Sequence, residues 1–287
     1  MKVLYFLLRS AGFLVASLPL AVLYQISTAL SWLTGVVFRY RRDVVERNIR
    51  LSFPEKDEKW VRKQTRLFYM HFVDVMVESF KLLALNKKML PNRVSVTNPE
   101  LLEKLYKEGR GVIAVGGHYG NWEWMGTALQ LMSPYQALVA YKPLSNKLID
   151  KVMLKIRSLH GSKLIPMNQI YRAVKTSTVP TITLLVADQA PHPENAYWTS
   201  FLNQDTPVFM GPEKIAKSTG HVVVFLAMTR PRRGEYAITV KEVSLDPINE
   251  APFAITEKHL QLLTEEILVN PSCWLWSHKR WKHKRPA

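Results

Sequence analysis

Hydrophobic and polar positions follow three regimes along the chain. From Ser10 to Phe38, "SAGFLVASLPLAVLYQISTALSWLTGVVF" carries no charged residue. It exceeds the ~20 apolar residues that a spanning helix requires. Pro19, Gln25 and several Ser and Thr make it less apolar than a plain anchor, so it is expected either to span a bilayer or to lie in its interface. From Asp57 to Leu85 apolar residues recur at three and four with charges between them, the period of one or two amphipathic helices. Beyond the turn-rich "PNRVSVTNPE", short β-branched runs alternate with helical ones. Strands are expected at Gly111–Val115, Gln136–Tyr141, Lys163–Pro166, Thr181–Ala187, His221–Thr229 and Glu235–Val243. Helices are expected at Glu100–Lys107, Trp122–Leu131, Asn146–Leu159, Gln169–Thr176, Pro212–Ser218 and Thr256–Val269. This alternation predicts an α/β fold: a mixed, largely parallel central sheet flanked by helices, closed by its last two strands as an antiparallel pair. Three parts follow: residues 1–38 as a transmembrane or interfacial anchor, 39–95 as a helical segment packing on the catalytic core, and 96–287 as the α/β domain with a basic aromatic tail.

Charge narrows the choice of partner. The 287 residues carry a formal net charge of +16, which calls for an anionic one. The basic run "RYRRDVVERNIR" directly follows the apolar segment, whereas only Lys2 and Arg9 precede it. Positive-inside logic then keeps the remainder in the cytoplasm, facing membrane phospholipids rather than nucleic acid. A lone cysteine, Cys273, excludes a disulfide framework and any zinc site built on several thiolates. It lies among aromatics and reads as a buried small hydrophobe. Trp274, Trp276 and Trp281, beside the basic tail "SHKRWKHKR", suit a lipid headgroup region. His71, Asp74 and Glu78 share one face of the Asp57–Leu85 helix. They imitate a metal site, but the surrounding Phe and Met favour a packed, partly polar face, and no metal ligands are assigned.

The chemistry concentrates in "GVIAVGGHYGNWEW", Gly111–Trp124. Five residues carry a side chain about 140° around a helix, so His118 and Glu123 meet only if the chain bends between them. A strand, a glycine turn and a helix capped by Asn121 supply that bend, with Glu123 in the first turn. An imidazole whose second nitrogen is held by a carboxylate takes a proton from a hydroxyl. Glu123 is expected either to orient His118 for that step or to act as a capping glutamate bonded to a structural histidine at the strand end. The site falls at the carboxyl ends of the strands, where open α/β sheets place their ligands.

The segment "GGHYGNWEW" resembles the H-x4-[DE] block of the late acyltransferases of lipid A biosynthesis, a branch of the glycerolipid and lysophospholipid acyltransferase superfamily. Further blocks resemble that family in order: "ERNIRLSFPE", "YKPLSN", "ADQAP", "PVFMGPEKIAKSTG" and "PSCWLWSHKRWK". The resemblance implies an enzyme of the bacterial cytoplasmic (inner) membrane, its catalytic domain on the cytoplasmic side. It would move an acyl group from an acyl carrier protein or acyl-coenzyme A to a hydroxyl of a phosphorylated glycolipid acceptor. His118 would be the general base. Asn121, Lys142, Asn146, Asp188, Gln189, Gly211 and Arg280 would contribute to substrate binding. A thioester donor is already activated, so no cofactor is implied. Lys142 stands where many members carry arginine, and the E-G-T-R block that glycerol-phosphate acyltransferases use is missing. An acyltransferase of a lysophospholipid or aminolipid stays open, as does a basic membrane-tethered nucleic-acid binder. A metal-dependent hydrolase built on His118 and Glu123 lacks the further ligands it needs.

Overall fold

In the computed structural model, which describes residues 12–13, 15–85 and 89–285, helical segments precede the first strand. Helix α1 (Leu20–Trp32) continues into a π-helical turn at Leu33–Val37, followed by α2 (Arg42–Ser52) and α3 (Glu58–Lys81). The first eleven residues of the expected anchor, with Lys2 and Arg9, lie outside the described residues. The next elements are β1 (Val94–Val96), α4 (Glu100–Lys107), β2 (Val112–Gly116), α5 (Trp122–Met132), β3 (Gln136–Tyr141) and α6 (Lys147–Ser158). Then come β4 (Lys163–Pro166), α7 (Ile170–Lys175), β5 (Thr181–Val186), β6 (Tyr197–Phe201) and β7 (Gln204–Val208). The last are α8 (Gly211–Thr219), β8 (Val222–Arg232), β9 (Glu235–Ser244) and α9 (Ala254–Val269).

Seven strands form one sheet in the order β1-β9-β8-β2-β5-β3-β4. Every neighbouring pair is parallel except β8–β9, which is antiparallel. The expected strand and helix set is present. The antiparallel pair does not close the sheet, however, because β1 adds a parallel edge outside β9. A three-residue strand has no signal apart from its partner. The hairpin β6–β7 was also unforeseen. Its turn residues, Leu202 and Asn203, both have positive φ (49° and 61°), the geometry of a two-residue hairpin turn.

Strand β2 is buried along its whole length, and its alternate residues feed opposite layers. Val112 and Ala114 pack with Leu102, Trp124, Ala128 and Ile156 of α4, α5 and α6. Ile113 and Val115 pack with Ile170, Ile215 and Ile255 of α7, α8 and α9. Burial on both faces is what a parallel sheet requires. A third cluster joins Val45, Val61 and Phe68 of α2 and α3 to Phe225, Leu263, Trp274 and Trp276. Trp274 and Trp276 are therefore core residues, at 2% and 0% exposure. Trp281 is partly buried and donates its indole N–H to Thr206 Oγ1 at 2.7 Å. The expectation that this trio faces headgroups is corrected: the tail folds back, and its aromatics fill the core.

Helix α1 is amphipathic in an unusual sense. Tyr24 and Ser27 face inward, where Tyr24 donates to Glu78 (2.7 Å) and Ser27 to Asp74 (2.6 Å). Val22, Ile26, Leu30 and Trp32 are exposed. Leu20–Val37 is the one helix among the described residues long and apolar enough to cross a membrane.

Candidate active site

Register explains how the site assembles. In the β2–β5 pair Gly116 stands opposite Val186. Two parallel neighbours carried two residues further bring His118 and Asp188 side by side. His118 Nδ1 lies 2.6 Å from Asp188 Oδ1, and the His118 backbone N–H donates to Oδ2 at 2.7 Å. The indole N–H of Trp274 donates to the same Oδ2 at 2.7 Å. Asp188 is buried. Burial opposes its ionisation, but the His118 charge and these hydrogen bonds outweigh it and hold the carboxyl at about 2. A permanent carboxylate at Nδ1 selects the tautomer whose Nε2 is free to accept. The Gln189 amide nitrogen stands 3.3 Å from that Nε2. Asp188 and Gln189 therefore flank the two ring nitrogens.

Glu123 does not occupy the position expected of it. Its carboxylate receives a two-point grip from Arg157 on α6, at 2.8 Å and 2.6 Å. The partner of His118 is Asp188. The turn does bend as expected, but the register between β2 and β5 brings a closer carboxylate to the ring. Arg157 carried no signal in the sequence beyond being one more helix-surface cation. Asp188 did carry one: it closes a predicted parallel strand, as His118 does.

The turn itself is held from behind by the chain end. Gly120 adopts φ +60°, and a Cβ there would lie 2.9 Å from the Met228 carbonyl oxygen, so glycine alone fits. The Leu275 N–H donates to the His118 carbonyl at 3.0 Å, and the Gly120 N–H to Cys273 at 3.1 Å. The terminal W-x-W block thus buttresses the turn that carries His118, a role its sequence did not announce.

His118 opens on a cavity of about 880 Å³. Trp122, Gly126, Val139, Leu184, Val186 and Met167 give it apolar walls. Glu123, Lys142, Arg157, Gln189 and Lys214 add polar groups, and Gly211 lines it at the start of α8. Lys142 reaches this cavity although β5 separates its strand from β2.

Four of the expected substrate contacts do not line the cavity. Asp188 is one: it lies buried behind the His118 ring, bonded to it and to Trp274. Asn121 is buried, caps α5 by accepting from the Trp124 N–H at 3.0 Å, and donates its amide to Glu78 at 2.7 Å. Asn146 caps α6, accepting from the Leu148 and Ile149 N–H groups. Arg280 is fully buried and donates to the Pro207 carbonyl at 2.7 Å. Burial lowers its guanidinium to about 10, against the pull of Asp188. Among the described residues no group of three acidic, His or Cys side chains is placed to hold a metal ion. His71, Asp74 and Glu78 are instead tied into the packed interface with α1, β8 and β9.

The profile of the family described as bacterial lipid A biosynthesis acyltransferase matches residues 1–283. The lipid A biosynthesis lauroyltransferase of Escherichia coli K12 is 21% identical over 273 residues, covering 94% of this chain and 88% of the relative. The palmitoleoyltransferase of the same organism is 22% identical over 274 residues, covering 92% and 86%. A lipid A biosynthesis acyltransferase of Shigella flexneri is similar to the same extent.

Proposed function

Because the chain belongs to the bacterial lipid A biosynthesis acyltransferase family, we propose that it transfers a fatty acyl group from a thioester donor to a hydroxyl of a phosphorylated lipid A precursor. The observation that carries this reading is the His118 imidazole. It is tied to a buried carboxylate on one side and open to an apolar-walled cavity on the other. In this reading Nε2 of His118 takes the proton of the acceptor hydroxyl, displacing the weak contact to Gln189. The oxygen attacks the thioester carbonyl, the C–O bond forms and the C–S bond breaks. The departing thiolate collects the proton from the imidazolium. Asp188 holds the ring and balances its transient charge.

The Asn121 N–H is committed to the Met228 sulfur at 3.1 Å and the Trp124 N–H to Asn121. That leaves Lys142 and the remaining first-turn N–H groups of α5 as candidates for the oxyanion. The apolar walls suit the acyl chain, and Lys142, Arg157 and Lys214 suit acceptor phosphate or the phosphopantetheine of acyl carrier protein or coenzyme A. The protein works at the bacterial inner membrane, its catalytic domain facing the cytoplasm. Helix α1 lies along the surface, since its inner face is bonded at mid-length to Asp74 and Glu78 and its outer face is apolar.

Mass spectrometry of total lipids from cells with and without the protein tests this reading. Loss of one acyl chain from lipid A supports it. Intact lipid A with an altered lysophospholipid or aminolipid pool overturns the acceptor assignment.

A further inference from the structure

The His71/Asp74 face that the catalytic site does not use forms one wall of a second cavity, of about 250 Å³. Its other walls are the β8–β9 hairpin, with Arg230, Arg232 and Arg233, and the chain from Asn270 to Cys273. Asp74 is saturated: Oδ1 accepts from Ser27 and Arg233 Nη2, and Oδ2 from Arg230 Nη2 and Arg233 Nε. His71 is neutral here. Burial, then the Arg230 charge, pushes it down to about 3. Arg230 Nη1 lies 3.1 Å from Nδ1, so the ring's Nε2–H donates to the Gly120 carbonyl at 3.0 Å. Three guanidiniums and one carboxylate line the cavity, and the buried Glu78 acts on Arg230 from behind, which leaves the lining net positive. Arg230 and Arg233 cannot swing away, because Asp74 grips both. Arg232 is exposed at the rim, its guanidinium unpaired among the described residues.

The cavity adjoins the apolar helix. The Arg233 guanidinium stacks over the half-buried Tyr24 ring at 4.6 Å and donates to the hydroxyl of Thr28, an exposed residue of α1, at 3.1 Å. On the outer face Val22, Ile26 and Leu30 are exposed. If α1 lies in the interface, the arginines stand at the level of lipid phosphates.

We propose that this cavity is a binding site for the phosphate of an anionic phospholipid headgroup, with Arg232 closing on the phosphate that Arg230 and Arg233 attract. Asp74 occupies the forked edge of Arg233, so Arg230 and Arg233 supply a fixed positive field and the exposed Arg232 supplies the fork that suits phosphate oxygens. The proposal rests on the membrane reading given above. It extends that reading from an apolar helix to a specific, charge-selective contact.

The full chain, purified in detergent, is mixed with vesicles of phosphatidylcholine alone and with vesicles in which about a third is phosphatidylglycerol. The wild type binds both, and the second more tightly. Arg232→Gln loses roughly fivefold of that advantage, the worth of one cation at an anionic surface. Lys107→Gln, which removes an exposed cation on α4, keeps it. Equal advantage in Arg232→Gln and wild type overturns the site. Failure of the wild type to bind phosphatidylcholine vesicles overturns the membrane reading instead. In that event dihexanoyl-phosphatidylglycerol in solution decides the site: a rise in melting temperature that Arg232→Gln lacks supports it, and no rise removes it. Equal stabilisation by inorganic phosphate overturns the lipid source.

Discussion

Replacing Asp188 by asparagine keeps the side-chain shape and removes the charge that holds the His118 tautomer. Asp188→Asn is expected to lower kcat by ~10²–10⁴ while substrate KM changes little, and His118→Ala to lower it at least as far. Steady-state kinetics on a folded variant check this, and a near-normal kcat for Asp188→Asn would sink the assignment. Glu123 belongs to a different pair. In a double-mutant cycle read by melting temperature, Glu123→Gln and Arg157→Gln couple by ~0.5–3 kcal/mol, whereas Glu123→Gln and Asp188→Asn add. Coupling in the second cycle instead of the first would restore Glu123 as the partner of His118. Lys142→Ala is expected to raise acceptor KM with kcat nearly unchanged if the ammonium holds a phosphate, and Lys142→Arg to retain activity. If neither constant moves, Lys142 is only a solvated strand-end charge.

At the scale of elements, caps and buttresses decide whether the site stays in shape. Asn121 serves two elements, closing the start of α5 and donating to the buried Glu78 that Tyr24 and Tyr236 also reach. Asn121→Ala removes an N-cap worth ~0.5–2 kcal/mol and one donor of a buried carboxylate, worth a further ~1–3 kcal/mol. Thermal unfolding should register both, and a loss below ~0.5 kcal/mol would show that the network relaxes around the gap. Glu213 plays the same part for α9, where its carboxylate accepts from the Phe253 and Thr256 N–H groups and the Thr256 hydroxyl.

For the whole molecule, acid is the informative stress. Burial first, and for His71 the Arg230 charge as well, lowers His71 to about 3 and His259 to about 4, from an ordinary 6.5. Both fold neutral and take up protons on unfolding, so their contribution is complete above pH 6.5 and is lost as pH falls towards 4. Near pH 5 these two groups alone give a slope of roughly 3 kcal/mol per pH unit. Asp188, held at about 2 against an ordinary 3.8, adds a further loss only below pH 4. Melting temperature should therefore fall steeply between pH 6.5 and 5. A flat profile there would mean that these histidines are already protonated in the folded protein. Deleting residues 1–38 uncovers Asp74, Glu78 and the apolar surface beside them, so the shortened protein should leave membranes and aggregate in centrifugation assays.

The sequence by itself determined the sheet strands except β1, the helices of the α/β part, the position of His118 at a strand's carboxyl end and the presence of a long uncharged apolar start. These follow from local periodicity, glycine punctuation and capping, which act over a few residues. Only the tertiary structure decided which carboxylate meets His118, that Arg157 claims Glu123, that Trp274 fastens Asp188, and that Asn121, Asn146 and Arg280 hold structure rather than line the cavity. Each of those outcomes depends on strand order and register between segments tens of residues apart. A period-two strand pattern shows which face is buried, but it carries no information about the neighbour. The pairing of Gly116 with Val186 is set by packing on both faces of the sheet, and it placed Asp188 beside the imidazole.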